Sequence, residues 1–182
     1  MFDGARVLLL PGWLDSGPGH WQSRWQQHHG FERVVQHDWE WPRRGDWVAR
    51  LEEVVLQDPR PVVLVAHSLG CHLVAAWSAH SRHADRARAA WLVAPPDLRR
   101  PDLPPQLSGW RSTPRQRLPC PAMLVYSDDD PFSDPGSSLS LARHWHADTW
   151  AVGERGHLNA DSGLGDWNEG LARLAALASG SR

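Results

Sequence analysis

Six short, predominantly apolar runs punctuate the chain, at 6–10, 33–36, 62–66, 90–94, 122–126 and 149–152, and they do not alternate with polar positions. A strand buried on one face reads apolar and polar in turn, whereas a strand covered on both faces loses its polar phase, as parallel sheets require. Longer amphipathic stretches separate the runs, at 20–29, 46–56, 69–80, 137–145 and 167–178. In the third stretch Leu69, Leu73, Ala76 and Trp77 share one stripe, and in the last Leu171, Leu174 and Leu177 share another, so both predict helices that cover a sheet. Alternating strands and helices predict a doubly wound α/β fold with a parallel sheet and helices on both faces. A length of 182 residues fits one such domain, spanning 1–182.

Charge and composition remove several functions. Nineteen basic against 21 acidic residues leave a net charge of -2, with no basic field for nucleic acid or an anionic membrane surface. Runs such as 62–66 fall far short of the ~20 apolar residues that cross a bilayer. The first apolar run ends at Pro11 without the regions of a signal peptide, so a cytoplasmic protein is expected. Cys71 and Cys120 cannot build a disulfide framework or a zinc site, and His28, His29, His144 and His146 lack a carboxylate or cysteine at ligand spacing. All 19 basic residues are arginine, which excludes a P-loop, a Schiff base and a Ser-Lys dyad.

Twelve tryptophans stand against three phenylalanines and one tyrosine. They could be stacking platforms for sugars or bases, but the aromatic total of 9% is ordinary and no repeat organises them, so core filling is the preferred reading. Residues 95–121, rich in Pro and Arg, form one long excursion between the fourth and fifth strands. It reads equally as a pocket wall or as a solvated connector.

The segment Val62-Val63-Leu64-Val65-Ala66-His67-Ser68-Leu69-Gly70-Cys71 carries the chemistry. A buried strand runs into Ser68 and a helix of small and apolar residues leaves it, the layout of a nucleophile elbow that exposes a serine hydroxyl on a strained turn. The G-x-S-x-G pattern is met by Gly70 and, with one extra methyl, by Ala66. The helix directs free N–H groups at the reacting centre, making Leu69 N–H one oxyanion donor. The second is expected from Leu10-Pro11-Gly12-Trp13 after the first strand, with Trp13 N–H the candidate. In a sheet ordered 2-1-3-4-5-6 these two turns flank the switch point where ligands bind.

A serine needs a base, and the base an orienting acid. His157, on a Gly-flanked loop directly after the sixth strand, is the base candidate, while His67 and His72 are expected to point away from the Ser68 hydroxyl as packing or supporting residues. Asp128, Asp129 and Asp130 follow the fifth strand; Asp130 best fits the acid, Asp129 is the alternative, and Asp128 is expected to cap the turn.

These residues resemble a family of small serine hydrolases similar to retinoblastoma-binding protein nine and the bacterial YdeN protein. The likeness extends to Ser16-Gly17-Pro18-Gly19-His20-Trp21-Gln22, Asp129-Asp130-Pro131-Phe132 and Gly156-His157-Leu158-Asn159-Ala160-Asp161-Ser162-Gly163. It implies a compact α/β-hydrolase without a large cap domain, and a triad of Ser68, His157 and Asp130. The Leu-x-Cys-x-Glu pocket-protein motif is not reproduced, because Leu69-Gly70-Cys71-His72-Leu73 lacks the glutamate, so retinoblastoma-type binding is not expected.

The expected activity is hydrolysis of a small ester or activated acyl compound without metal or organic cofactor. With no cap, the pocket should be shallow, lined by Gly12, Trp13, His20, Trp110 and Phe132, and suited to short acyl chains. The alternatives are a thioesterase or amidase using the same triad, or a non-catalytic binding module that engages a protein through exposed tryptophans and Arg99, Arg100, Arg111, Arg115 and Arg117. A monomer or small homo-oligomer is expected.

Overall fold

The computed structural model describes residues 2–180. Its strands are β1 (Arg6–Leu10), β2 (Glu32–Arg33), β3 (Val62–His67), β4 (Ala87–Val93), β5 (Ala122–Tyr126) and β6 (Asp148–Ala151). Its helices are α1 (Trp21–His29), α2 (Arg44–Leu56), α3 (Leu69–His80), α4 (Pro135–Trp145) and α5 (Asn168–Ser179). All strand pairs are parallel, in the order β2-β1-β3-β4-β5-β6. The expected sheet and its order are therefore present.

Two cores explain the unbroken apolar runs of β1, β3, β4 and β5, while the edge strands β2 and β6 are only partly covered. Leu8, Leu10, Leu64, Ala66, Leu92 and Leu124 face a core shared with Trp47 and Leu51 of α2, Leu73 and Trp77 of α3, and Leu141 and Trp145 of α4. The intervening Val7, Leu9, Val63, Val65, Trp91, Val93 and Val125 face the opposite core with Trp21 and Trp25 of α1 and Leu171 and Leu174 of α5. Successive side chains point to opposite faces, and in these four central strands both faces are dry. The tryptophans serve mainly these cores: Trp21, Trp25, Trp47, Trp77, Trp91, Trp110 and Trp145 are all fully buried.

Element boundaries differ from expectation where the local pattern is weak. Strand β2 is the edge pair Glu32–Arg33 rather than 33–36, because its partner β1 ends at Leu10 and Pro11 has no N–H to extend a ladder. Strand β4 starts at Ala87 instead of residue 90; Arg88, whose guanidinium donates to the Ala178 carbonyl, interrupts the apolar pattern there. The excursion at 95–121 is a packed wall rather than a solvated connector. It buries Leu98, Leu107, Trp110 and Leu118 in the first core and contains a short 3-10 turn, Pro105–Trp110. Among the described residues no helix is long and apolar enough to cross a membrane.

Candidate active site

Ser68 occupies the turn from β3 to α3 with φ 54° and ψ -123°, a backbone region unfavourable to a residue with a Cβ. Its own N–H donates to the Val93 carbonyl at 2.8 Å and its carbonyl accepts from Cys71 N–H at 3.0 Å, so strand and helix hold the strained residue from both sides. Glycine is required twice for this close approach. A Cβ on Gly70 would lie 2.2 Å from the Leu10 carbonyl oxygen, and a Cβ on Gly12 would lie 2.7 Å from Ser68 Cβ and 3.2 Å from Ser68 Oγ. The end of β1 is thereby pressed against the elbow.

His157 reaches both partners predicted for it. Its Nε2 lies 2.9 Å from Ser68 Oγ, and its Nδ1 lies 3.0 Å from each carboxylate oxygen of Asp130. A carboxylate only accepts, so Nδ1 carries the proton and donates it to Asp130, leaving Nε2 as acceptor for the serine hydroxyl. The side chains of His157 and Asp130 are 10% and 3% exposed, which keeps their attraction from being screened by water.

The three aspartates separate by their partners. Asp130 Oδ1 also accepts from Phe132 N–H at 2.9 Å, fixing its own turn. Asp129 instead ties two loops together, accepting from Ser127 Oγ at 2.6 Å and Gly156 N–H at 2.7 Å. The Ser127 hydroxyl, followed by Gly156 N–H, holds the Asp129 carboxyl below the usual carboxylate range. The turn-capping expected of Asp128 falls to these neighbours, while Asp128 contributes its backbone N–H to the Gly153 carbonyl.

The His157 loop is anchored by two side chains from other elements. Trp21 Nε1–H donates to the Leu158 carbonyl and His67 Nε2–H to the His157 carbonyl, both at 2.9 Å. His67 thus points away from the Ser68 hydroxyl, as expected, and ties the end of β3 to the loop of His157. Its ring sits 4.9 Å from that of His157 and 4.6 Å from that of His20. His20 caps α1, its Nδ1 accepting from Gln22 N–H. Burial, aided by Arg33 and His157, lowers the His20 pKa to about 3, and burial first of all holds His67 well below its ordinary value. Both are neutral near pH 7. His72 is directed elsewhere, its Nε2–H donating to the Pro96 carbonyl.

A cavity of about 390 Å³ opens over Ser68. Of the expected lining, Trp13, His20 and Phe132 contribute, and Gly12 lies beneath against Ser68. Trp110 does not belong to it. Its indole is buried against Trp47 and donates to the Pro42 carbonyl at 2.7 Å, anchoring the excursion to the core. The excursion supplies lining residues that the sequence did not single out, Pro96, Asp97, Asp102, Leu103, Pro104 and Leu107, together with Arg100, which was expected only as part of a protein-binding surface. Their signal was the length of the segment, without a periodicity to say which side chains turn inward. A larger hollow, of about 650 Å³, lies between the start of α2 and residues 105–109 and contains none of Ser68, His157 or Asp130. Among the described residues no cluster of three or more His, Cys, Asp or Glu side chains is arranged to hold a metal ion.

Parallel sheet order, strained serine elbow and a histidine on the loop after the last strand define an α/β-hydrolase. The chain belongs to the serine hydrolase family, whose profile matches residues 7–176. It is similar to a YdeN-like hydrolase from Pectobacterium atrosepticum, with 27% identity over 97% of this chain and 92% of the other and a TM-score of 0.85. It also resembles the ydeN gene product of Bacillus subtilis, with 21% identity, coverage of 96% and 99%, and a TM-score of 0.76. An esterase from Thermogutta terrifontis shares the fold at 15% identity, coverage of 98% and 91%, and a TM-score of 0.69. No curated protein matches the chain.

Proposed function

We propose that the chain is a carboxylic ester hydrolase that works through an acyl-enzyme on Ser68. The observation that carries this reading is the continuous hydrogen-bonded line from Asp130 through His157 to Ser68 Oγ at the floor of a cavity. Ser68 Oγ forms a bond to the ester carbonyl carbon as His157 Nε2 takes its proton, and the carbonyl electron pair moves to oxygen. The resulting imidazolium stays paired with Asp130. Collapse of the tetrahedral centre breaks the bond to the alcohol oxygen, which receives the proton from His157. A water then repeats the sequence, giving its proton to His157, and frees the acid and the serine.

Leu69 N–H and Trp13 N–H are the oxyanion donors in this reading. Leu69 is the first residue of α3 and has no carbonyl one turn earlier in its helix, while the neighbours of Trp13 are occupied, Leu14 N–H with the Trp39 carbonyl and Asp15 N–H with the Gly12 carbonyl. Such a donor typically contributes ~3–4 kcal/mol to the transition state. The steps call on no metal or organic cofactor, and the partner is a small-molecule acyl compound. Hydrolysis of p-nitrophenyl butyrate tests the reading: the purified protein should turn it over and Ser68→Ala should lose at least a thousandfold in kcat. Equal turnover by both would remove Ser68 from the reaction.

A further inference from the structure

We infer that the acyl arm accepted at Ser68 is uncharged, apolar and longer than acetyl, in the range of hexanoyl, and that the alcohol arm leaves through a separate polar cleft. The inference rests on the ester-hydrolase reading and adds the substrate's two halves to it.

The alcohol arm is fixed first. Its oxygen takes a proton from His157 Nε2, so that arm has to lie on the His157 side of Ser68. On that side a second hollow, wider and open to solvent, shares Phe132, His157 and Asn159 with the cavity over Ser68 and continues past Glu154, Arg155 and Asp161. Polar and charged side chains dominate its walls, a suitable exit for a hydrated alcohol. The remaining space is the 390 Å³ cavity itself, on the small side of the ~300–1,000 Å³ usual for small-molecule sites. Its apolar lining residues include Trp13, Leu14, Leu69, Leu103, Pro104 and Leu107.

Charge excludes an acidic acyl tip. Three carboxylates border this cavity, and each is already matched by an arginine: Asp15 by Arg33, Asp97 by Arg99 and Asp102 by Arg100. Arg100, the one arginine in the lining among the described residues, is engaged by both oxygens of Asp102 and by the Pro131 carbonyl. A carboxylate at the acyl terminus would meet acids and a committed guanidinium, and among the described lining residues no uncommitted arginine would replace its hydration. An alkyl chain loses only apolar surface to water, which favours it by up to about fourfold in kcat/KM per buried methylene. The wall contributed by the excursion thus reverses the short-chain preference expected of a shallow pocket.

The test is kcat/KM for p-nitrophenyl acetate, butyrate, hexanoate and the monoester of adipic acid, which matches hexanoate in length and ends in a carboxylate. Hexanoate should exceed acetate at least tenfold and the adipate ester at least tenfold. In Leu103→Trp, which fills the wall at a half-buried position, the hexanoate-to-acetate ratio should fall at least fivefold; the milder Leu103→Ala should lower it less. Acetate as the best substrate, or an adipate ester equal to hexanoate, overturns the inference and leaves the ester-hydrolase reading intact. Absence of turnover with every ester, together with a Ser68 inert to a fluorophosphonate, overturns both.

Discussion

Asp130→Asn and Asp129→Asn differ by one position and should differ by orders of magnitude in catalysis. In the proposed reaction His157 becomes an imidazolium whose Nδ1 lies 3.0 Å from the Asp130 carboxylate, with the carboxylate 3% exposed. At an effective dielectric constant of about 20, a charge pair at that distance attracts by about 5.5 kcal/mol, which corresponds to roughly 10⁴ in rate if it acts in the transition state alone. An asparagine removes the charge and also presents an amide that can turn its N–H₂ toward Nδ1, favouring the tautomer with the proton on the wrong nitrogen. The expected loss in kcat for Asp130→Asn is therefore about 10³–10⁴, with KM little changed. Asp129 touches Ser127 and Gly156 rather than the imidazole, so Asp129→Asn loosens the base loop and should cost roughly tenfold. Steady-state kinetics on one p-nitrophenyl ester, with circular dichroism to verify folding, decides between them. A folded Asp130→Asn within tenfold of the parent, or an Asp129→Asn that is the more damaged, would refute the assignment of the acid.

Two further predictions concern stability. Gly70→Ala drives a methyl to 2.2 Å from the Leu10 carbonyl oxygen, a backbone atom that cannot step aside cheaply, so unfolding free energy should fall by about 1–3 kcal/mol. For a chain of this size that lowers Tm by roughly 2–4 °C per kcal/mol, and an unchanged Tm in a thermal scan would contradict the close packing. His72 has its pKa lowered from 6.5 to about 4, burial being the largest cause. The unfolded chain therefore binds a proton at His72 below pH 6.5 while the folded one does not until about pH 4, and stability is full above the first value and lost as pH falls toward the second. His72→Gln should reduce the slope of unfolding free energy against pH in that window by about 1.4 kcal/mol per unit; an identical slope in urea titrations would show that His72 does not titrate this way.

What could be read from the chain was whatever local chemistry determines. Strands β1, β3 and β5 announced themselves because both of their faces are dry, and Ser68 because a strand, a strained turn and Gly70 must follow one another in sequence. His157 stood out among eleven histidines by its place after the last strand. Distant contacts decided the rest. Any of three consecutive aspartates satisfies a local turn, and it is distant contacts that separate them, Gly156 N–H meeting Asp129 and the imidazole meeting Asp130. Trp110 sits in a stretch without periodicity, so nothing nearby indicated that its indole turns to Pro42 and the core instead of the cavity. Leu103 and Leu107 become cavity walls through the fold of the whole excursion, and the hold of His67 on the His157 loop depends on a residue 90 positions away.

The central claim is that Ser68 is made nucleophilic by His157. Intact-protein and peptide mass spectrometry after exposure to a fluorophosphonate measures this directly. One phosphonyl group should appear on Ser68, with labelling abolished in Ser68→Ala and slowed at least a hundredfold in His157→Ala. Labelling that persists in Ser68→Ala, or a wild-type protein that takes up no label, would contradict it.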